Sequence, residues 1–190
     1  MKAITVYGAA SNCLAPEYYE AARQLGAEIA RRGFAVVNGG GKMGLMAASI
    51  EGALDAGGEA IGILPEFMAA RGWGHDRLTE TVIVPDMRAR KARMMELAHG
   101  IVCMPGGIGT FEEIFEAMTQ KQLNLWHGNI VFLNTLGYYD GMIETMRKAT
   151  EGGFMRQDHF DLLFTVTADP AEAAALACAA DDGHNFSPRF

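Results

Sequence analysis

A glycine-rich turn between an apolar run and an amphipathic run carries the residues best suited to chemistry. It is Pro105-Gly-Gly-Ile-Gly-Thr-Phe-Glu-Glu113. Glycines at such a junction let the backbone approach an anion, and the unpaired N–H groups of the following helix then point at it. The two carboxylates at the end of the run, Glu112 and Glu113, would lie at the rim of that site. The stretch therefore predicts chemistry on a phosphorylated small molecule.

A purely structural interpretation of the same turn also fits. Thr110 followed three residues later by Glu113 is a capping box, which requires no ligand. Acidic side chains in the first turn of a helix are also favoured by the helix dipole. The turn alone leaves both interpretations open.

A basic run, Asp86-Met-Arg-Ala-Arg-Lys-Ala-Arg93, is the second candidate. Asp86 is a plausible N-cap, so the cations would occupy the first turns of a helix, where they oppose its dipole. A sequence that places destabilising charges at a helix start often does so because a functional site requires them. We therefore expect Arg90 to bind an anionic ligand, with Lys91 reaching the rim of the same pocket. The alternative is a solvated basic face paired with residues such as Glu96.

Two further loops follow predicted strands. Ser11, in the small-residue loop 8–12, either donates to a phosphate or sugar or only stabilises the turn. The run Asn38-Gly-Gly-Gly-Lys-Met-Gly44 matches neither a P-loop nor, in its context, a dinucleotide fingerprint. We interpret Gly40 and Gly41 as part of a loop that faces a phosphate or ribose. Lys42 belongs either to that site or to the surface.

Strand and helix signals alternate along the whole chain. Strands are expected at 3–7, 34–37, 59–64, 81–84, 100–104, 129–133 and 162–166, and helices at 16–32, 43–57, 87–99, 110–125, 137–150 and 169–179. Alternation of this kind predicts an α/β fold, a Rossmann-like parallel sheet with helices on both faces. Ligands bind such folds beyond the carboxyl ends of the strands.

We expect one nucleotide-binding α/β domain over residues 1–180 and a frayed tail over 181–190. Residues 65–80 interrupt the alternation and are interpreted as a mobile flap or a short extra helix. The methionines, among them Met43, Met46, Met94 and Met95, are most simply core residues.

Net charge and the numbers of cysteines and histidines argue against several classes of function. The chain has 190 residues, a formal net charge of −7, three scattered cysteines and five histidines without metal-ligand spacing. We therefore expect no disulfide framework, no metal and no nucleic-acid or anionic-membrane surface. No run approaches the length of a membrane span and no leader is recognisable, which favours a cytoplasmic protein.

Taken together, the motifs resemble the LOG family of cytokinin riboside 5′-monophosphate phosphoribohydrolases, long labelled lysine decarboxylase-like. The resemblance covers residues 3–167 and is carried by Met87-x-x-Arg-Lys91 together with the turn 105–113. It implies a Rossmann-like homodimer, without cofactor, that cleaves a nucleoside 5′-monophosphate into a free base and ribose 5-phosphate. Arg90 and Glu113 match the catalytic positions. The positions along the nucleotide would be Lys91, Gly107, Ile108, Gly109, Thr110 and Thr119, to which the glycine turn adds Gly106.

The chain departs from the family at Gly72, where members often carry a substrate-contacting glutamate. The preferred base, adenine as in an AMP nucleosidase or an N6-prenylated adenine, therefore stays open. The same loops would also suit a nucleotide or molybdopterin-type cofactor carrier without turnover. Lysine decarboxylation, which requires a Schiff-base lysine and a pyridoxal phosphate pocket, has only Lys42 and Lys91 as motif lysines and is the poorest fit.

Overall fold

The computed structural model describes residues 2–181 and 183–187. Within this part of the chain, seven parallel strands form one sheet in the order β4-β3-β2-β1-β5-β6-β7. The strands are β1 Ala3–Tyr7, β2 Ala35–Asn38, β3 Ala60–Pro65, β4 Glu80–Val84, β5 Ala98–Cys103, β6 Ile130–Leu133 and β7 Thr165–Thr167. The predicted fold class is confirmed.

Eight α-helices connect or follow these strands in the described residues. They are α1 Pro16–Arg31, α2 Gly44–Asp55, α3 Glu66–Ala69, α4 Met87–Leu97, α5 Ile108–Gln122, α6 Asp140–Glu151, α7 Gln157–Leu162 and α8 Pro170–Cys178. Side chains of α1, α2 and α8 pack on one face of the sheet, and those of α4, α5 and α6 pack on the other. The central strands are buried on both faces, which explains their nearly continuous apolar sequence.

Glycines set the closest helix packing. A Cβ on Gly26 of α1 would lie 2.0 Å from the carbonyl oxygen of Ser49, and one on Gly52 of α2 would lie 2.0 Å from that of Arg23. The two backbones therefore touch where a side chain would separate them.

The order of the strands reverses between β1 and β5, and the loops after these two strands meet there. The Ala9 amide donates to the carbonyl of Pro105 at 3.0 Å, and the Leu45 amide donates to the carbonyl of Ala9 at 2.8 Å. Loops after β1 and β5 and the start of α2 are thus joined at the edge of the sheet where such folds bind ligands.

Most element boundaries differ from the sequence prediction by one to three residues. The short helix α3 fits the interpretation of residues 65–80 as a short extra helix, whereas the sequence pattern does not predict α7. In the expected tail, Phe186 is 2% exposed and its backbone exchanges hydrogen bonds with the Asn124 side chain. That segment therefore packs on the domain, while residues 182 and 188–190 lie outside the described part. No helix in the described residues is long and apolar enough to cross a membrane.

Candidate active site

Arg90 is a buried cation in the first turns of α4. The helix is capped by Asp86, whose carboxylate accepts from the amides of Arg88 and Ala89 at 2.8 and 2.9 Å. Arg90 is only 6% exposed, and its Nη2 donates to the carbonyl of Gly39 at 3.1 Å. Its Nε is buried without a hydrogen-bond partner among the described residues. A buried, unpaired N–H of a cation is suited to an anionic or hydrogen-bond-accepting ligand.

Glu113 lies in the second turn of α5 and is not part of a cap. Gly107 is the N-cap of this helix, and no side chain caps it, so the alternative interpretation of Thr110 and Glu113 as a capping box does not hold. Thr110 instead packs against Gly106, where a Cβ would lie 2.1 Å from the Thr110 hydroxyl. Because α5 begins earlier than predicted, the Glu113 carboxylate is available for chemistry and the first amides of the helix are available for an anion.

Two cavities meet at Arg90. The first, about 270 Å³, is lined by the glycine turn and the start of α5, including Gly107, Gly109, Thr110 and Glu113. The second, about 290 Å³, is lined mainly by apolar groups, namely Met43, Met46, Leu64, Met68 and Trp73. Ala10, Met46 and Arg90 line both cavities. The site thus combines a polar, anion-suited compartment with an apolar one.

The electrostatics of this pair suit acid–base chemistry near neutral pH. Burial raises the pKa of the Glu113 carboxyl to about 7, and the positive charge of Arg90 opposes this shift. Burial also lowers the pKa of the Arg90 guanidinium, although an arginine stays protonated at any physiological pH. Glu113 is therefore poised to exchange a proton beside a fixed positive charge.

Lys91 lies next to Arg90 in the sequence but has different neighbours. Its ammonium pairs with Glu112 and, at 2.7 Å, with Glu116, both on α5. Lys91 is missing from the described residues that line the two cavities. The expected contact of Lys91 with a nucleotide is therefore not preformed. Of the other cations of the run, Arg93 pairs with Glu96 at 3.0 Å, as the solvated-face interpretation anticipated.

The glycine loop after β2 supports Arg90 through its backbone. Buried Asn38 accepts from the Gly40 amide at 2.8 Å and donates to the Met46 carbonyl, which fixes the turn. Gly40 has a φ of +66° and packs on β3, with a Cβ position 2.4 Å from Leu64, so it does not face the cavity. Gly41 does line the apolar cavity. The sequence pattern did not identify Asn38 as the residue that fixes this turn, although its position directly before three glycines could have indicated such a role.

The remaining predicted residues are dispersed. Ser11 accepts from the Cys13 amide at 3.2 Å, which is the turn role, and lines a third cavity together with Gly106. Ile108 is 83% exposed. Thr119 is exposed and donates to the carbonyl of Phe115. Because Thr119 follows Thr110 by nine residues, it lies about 13 Å further along the helix than the anion-suited end.

The apolar cavity was the main omission of the sequence analysis. Met94 and Met95 are core residues as predicted, but Met43 is exposed and lines this cavity with Met46. The flap segment covers the cavity with Met68 and Trp73. Methionine patterns in a sequence do not distinguish a core from a cavity wall, since both require a flexible apolar side chain.

Backbone contacts hold the flap against the glycine loop. Gly41 and Gly74 form an antiparallel bridge, and the His75 amide donates to the Gly40 carbonyl at 2.8 Å. Lys42 donates from Nζ to the Gly72 carbonyl at 2.6 Å. Within the described residues, no group of three or more His, Cys, Asp or Glu side chains could hold a metal ion.

Comparison with known proteins identifies relatives along most of the chain. The model of a family described as "possible lysine decarboxylase" matches residues 46–177. The cytokinin riboside 5′-monophosphate phosphoribohydrolase of Rhodococcoides fascians is 38% identical over 155 residues, covering 81% of this chain and 78% of the relative. An Arabidopsis thaliana protein of the same enzyme name is 35% identical over 154 residues, covering 81% and 71% of the two chains.

A solved structure extends the comparison to a different activity. The molybdenum cofactor carrier protein of Chlamydomonas reinhardtii superimposes with a TM-score of 0.71 at 26% identity, covering 92% of this chain and 95% of the other. One fold is therefore found both in proteins named as hydrolases and in a protein named as a carrier.

Proposed function

The chain belongs to the LOG family, whose family model is described as possible lysine decarboxylase, and from that premise we propose that it hydrolyses the N-glycosidic bond of a purine riboside 5′-monophosphate. The products are the free base and ribose 5-phosphate. The observation that carries the proposal is the position of Arg90 and Glu113. They line one cavity at the start of α5, and Arg90 also borders an apolar cavity.

The two compartments suit the two halves of such a substrate. The 5′-phosphate would accept hydrogen bonds from the first amides of α5, where Gly107 and Gly109 leave open space. The base would occupy the cavity lined by Met46, Met68 and Trp73. An apolar wall of this kind accommodates a substituent on the purine as well as the ring itself.

Cleavage of a ribosyl C–N bond proceeds through an oxocarbenium-like transition state. In the proposed mechanism the Glu113 carboxylate stabilises the positive charge at C1′ and accepts a proton from the attacking water. The unpaired Nε–H of Arg90 donates either to the departing base, where it offsets the negative charge that develops, or to the ribose phosphate, whose existing charge it holds in place. The water oxygen becomes the C1′ hydroxyl and keeps one proton. The other proton, taken up by Glu113, passes to the departing base, which regenerates the carboxylate.

The carrier function is the second candidate, favoured by the similarity to the Chlamydomonas carrier protein. A carrier would bind its cofactor in the same two cavities and would not convert it. Lysine decarboxylation by a pyridoxal phosphate enzyme does not fit the motif lysines. Lys42 donates to a backbone carbonyl, and hydrogen bonds from Lys91 to Glu112 and Glu116 raise the pKa of Lys91. A Schiff-base lysine requires the opposite shift.

We also propose that the protein is a homodimer. The face of α5 turned away from the sheet exposes Ile108 and Phe115, and Leu123 and Leu125 follow it, all exposed. Apolar residues gathered on one exposed face mark a protein contact more often than a solvated surface.

The test is to incubate the purified protein with AMP and with isopentenyladenosine monophosphate and to follow free base and ribose 5-phosphate by chromatography. We expect release from at least one nucleotide. The variant Glu113→Gln should still bind nucleotide but turn over at least about 10²-fold more slowly. The matched control is Glu96→Gln, which removes an exposed carboxylate paired with Arg93 and should keep full activity.

Two outcomes would overturn the proposal. Near-normal turnover in Glu113→Gln would mean that this carboxylate is not catalytic. Nucleotide that stays bound to the wild-type protein and intact through long incubation would favour the carrier function instead.

A further inference from the structure

Lys91 holds two carboxylates that flank Glu113 on α5. Glu112 is the preceding residue and Glu116 lies one turn later, so all three acidic side chains belong to the first three turns of the same helix. The Lys91 ammonium contacts both neighbours, 2.7 Å from Glu116 and closer to Glu112. Its side chain is 16% exposed, far less than either partner. The pairing therefore holds the partly buried Lys91 side chain between α4 and α5.

Charged and titratable groups on α4, α5, β1 and β5 act on Glu113. Arg90 and Lys91, both on α4, favour its ionised form, whereas Glu112 and Glu116 oppose it. Two further groups, Tyr7 on β1 and Cys103 on β5, are buried and interact with its charge. In this set Lys91 pairs with both opposing carboxylates, so its single positive charge offsets part of their effect on Glu113.

We propose that Lys91 is a positioning residue, which offsets part of the negative charge of Glu112 and Glu116 beside Glu113 and ties α4 to α5. The role differs from direct binding of the nucleotide. It uses the contacts present in the structure and accounts for a lysine directly after the buried arginine. The inference rests on the proposed hydrolase function for its activity readout.

The first experiment is a titration of Glu113 in the wild-type protein and in Lys91→Met, which keeps an unbranched side chain one atom shorter and removes its charge. The carboxyl ¹³C signals of labelled glutamate report ionisation directly, and Glu113→Gln assigns the signal. We expect Lys91→Met to move the Glu113 midpoint about 0.5–1 pH unit upward at low salt, because two carboxylates are then left unopposed. High salt should shrink the difference, since both carboxylates are exposed.

The second experiment is the pH profile of kcat/KM with the nucleotide that the wild-type protein hydrolyses. Its ascending limb should move by the same amount in Lys91→Met, so that activity at pH 7 falls about two- to fivefold. Lys91→Arg should behave as wild type. The control Arg93→Met removes a neighbouring cation of α4 that pairs with Glu96, and should leave the limb unchanged.

Removing Glu112 and Glu116 together with Lys91 distinguishes a positioning role of Lys91 from direct binding of the nucleotide. In the triple variant Lys91→Met/Glu112→Gln/Glu116→Gln the limb and the Glu113 midpoint should return to the wild-type values or fall slightly below them, because the two opposing carboxylates and the one cation that offsets them are all gone. A higher KM in Lys91→Met, with an unmoved midpoint and no recovery in the triple variant, would overturn the inference in favour of a nucleotide contact. If the wild-type protein hydrolyses no nucleotide, while Lys91→Met still moves the Glu113 midpoint upward, the result contradicts the proposed function alone.

Discussion

Glu113 acquires its properties from the residue at which α5 begins. Since Gly107 is the N-cap, Glu113 lies within the helix instead of folding back to cap it. Burial then raises the pKa of its carboxyl, and Arg90 supplies an opposing charge. The two adjacent residues of α4 have different environments, since Arg90 lines the cavities and Lys91 pairs with α5. The properties of each of these side chains therefore depend on the neighbours that the backbone places around it.

The pH dependence of the reaction follows from the Glu113 pKa of about 7. Below that value the carboxyl is increasingly protonated and can neither accept a proton nor stabilise a cation, so kcat/KM should fall tenfold per unit well below pH 7. The residual activity of Glu113→Gln over the same range reports the ionisation of the substrate phosphate. A wild-type profile that is flat from pH 6 to pH 8 would contradict a Glu113 base with a pKa of about 7.

The site is assembled at the level of elements by loops that follow parallel strands. The loop after β2 holds Arg90 through the Gly39 carbonyl, and the loop after β5 leads into the open start of α5. Gly39 is required for this approach, because a Cβ there would lie 1.5 Å from Nη2 of Arg90. Such a contact can be relieved only by moving the guanidinium.

Gly39→Ala should therefore lower kcat/KM at least about tenfold by displacing Arg90, with little change in the free energy of unfolding. The comparison variant is Gly141→Ala in α6, where a Cβ would meet nothing within 4 Å, and it should keep full activity. Steady-state kinetics and urea unfolding of both variants provide the measurement. Full activity in Gly39→Ala would mean that the position of Arg90 does not limit the reaction.

At the scale of the whole molecule, apolar side chains are exposed on α5 and just beyond it. Residues turned to the sheet, such as Ile114 and Met118, are buried, whereas Phe115 and Leu123 are exposed. The helix is therefore apolar on two sides, which a single chain does not require. The same helix carries Glu113, so a homodimer formed here would bring two sites close to one interface.

Light scattering after gel filtration should give twice the mass of the chain for the wild-type protein. Leu123→Glu combined with Leu125→Glu should give the mass of one chain, since four buried charges cannot be accommodated in a symmetric apolar interface. The control is Phe154→Glu, at an exposed position beyond α6, which should leave the mass unchanged. A wild-type protein that has the mass of a single chain at micromolar concentration would refute the dimer.

Much of the architecture was determined by the sequence itself. Alternating apolar runs and amphipathic helices predicted the parallel sheet, because period and burial are local properties of a chain. The glycine turn and the basic run predicted that Arg90 and Glu113 would lie near each other, since loops after parallel strands share one edge of the sheet. The Asp86 cap was predictable too, as it depends on residues only two and three positions away.

Only the tertiary structure decided how those residues are used. The partners of Arg90 and Lys91 lie 51 and 21 residues away along the chain, so no local pattern could distinguish the buried cation from the paired one. The cavity formed by Met46, Met68 and Trp73 likewise exists only because the flap packs on the loop after β2. Local periodicity selects the elements, whereas pairing and cavity shape depend on long-range packing, which a single sequence does not display.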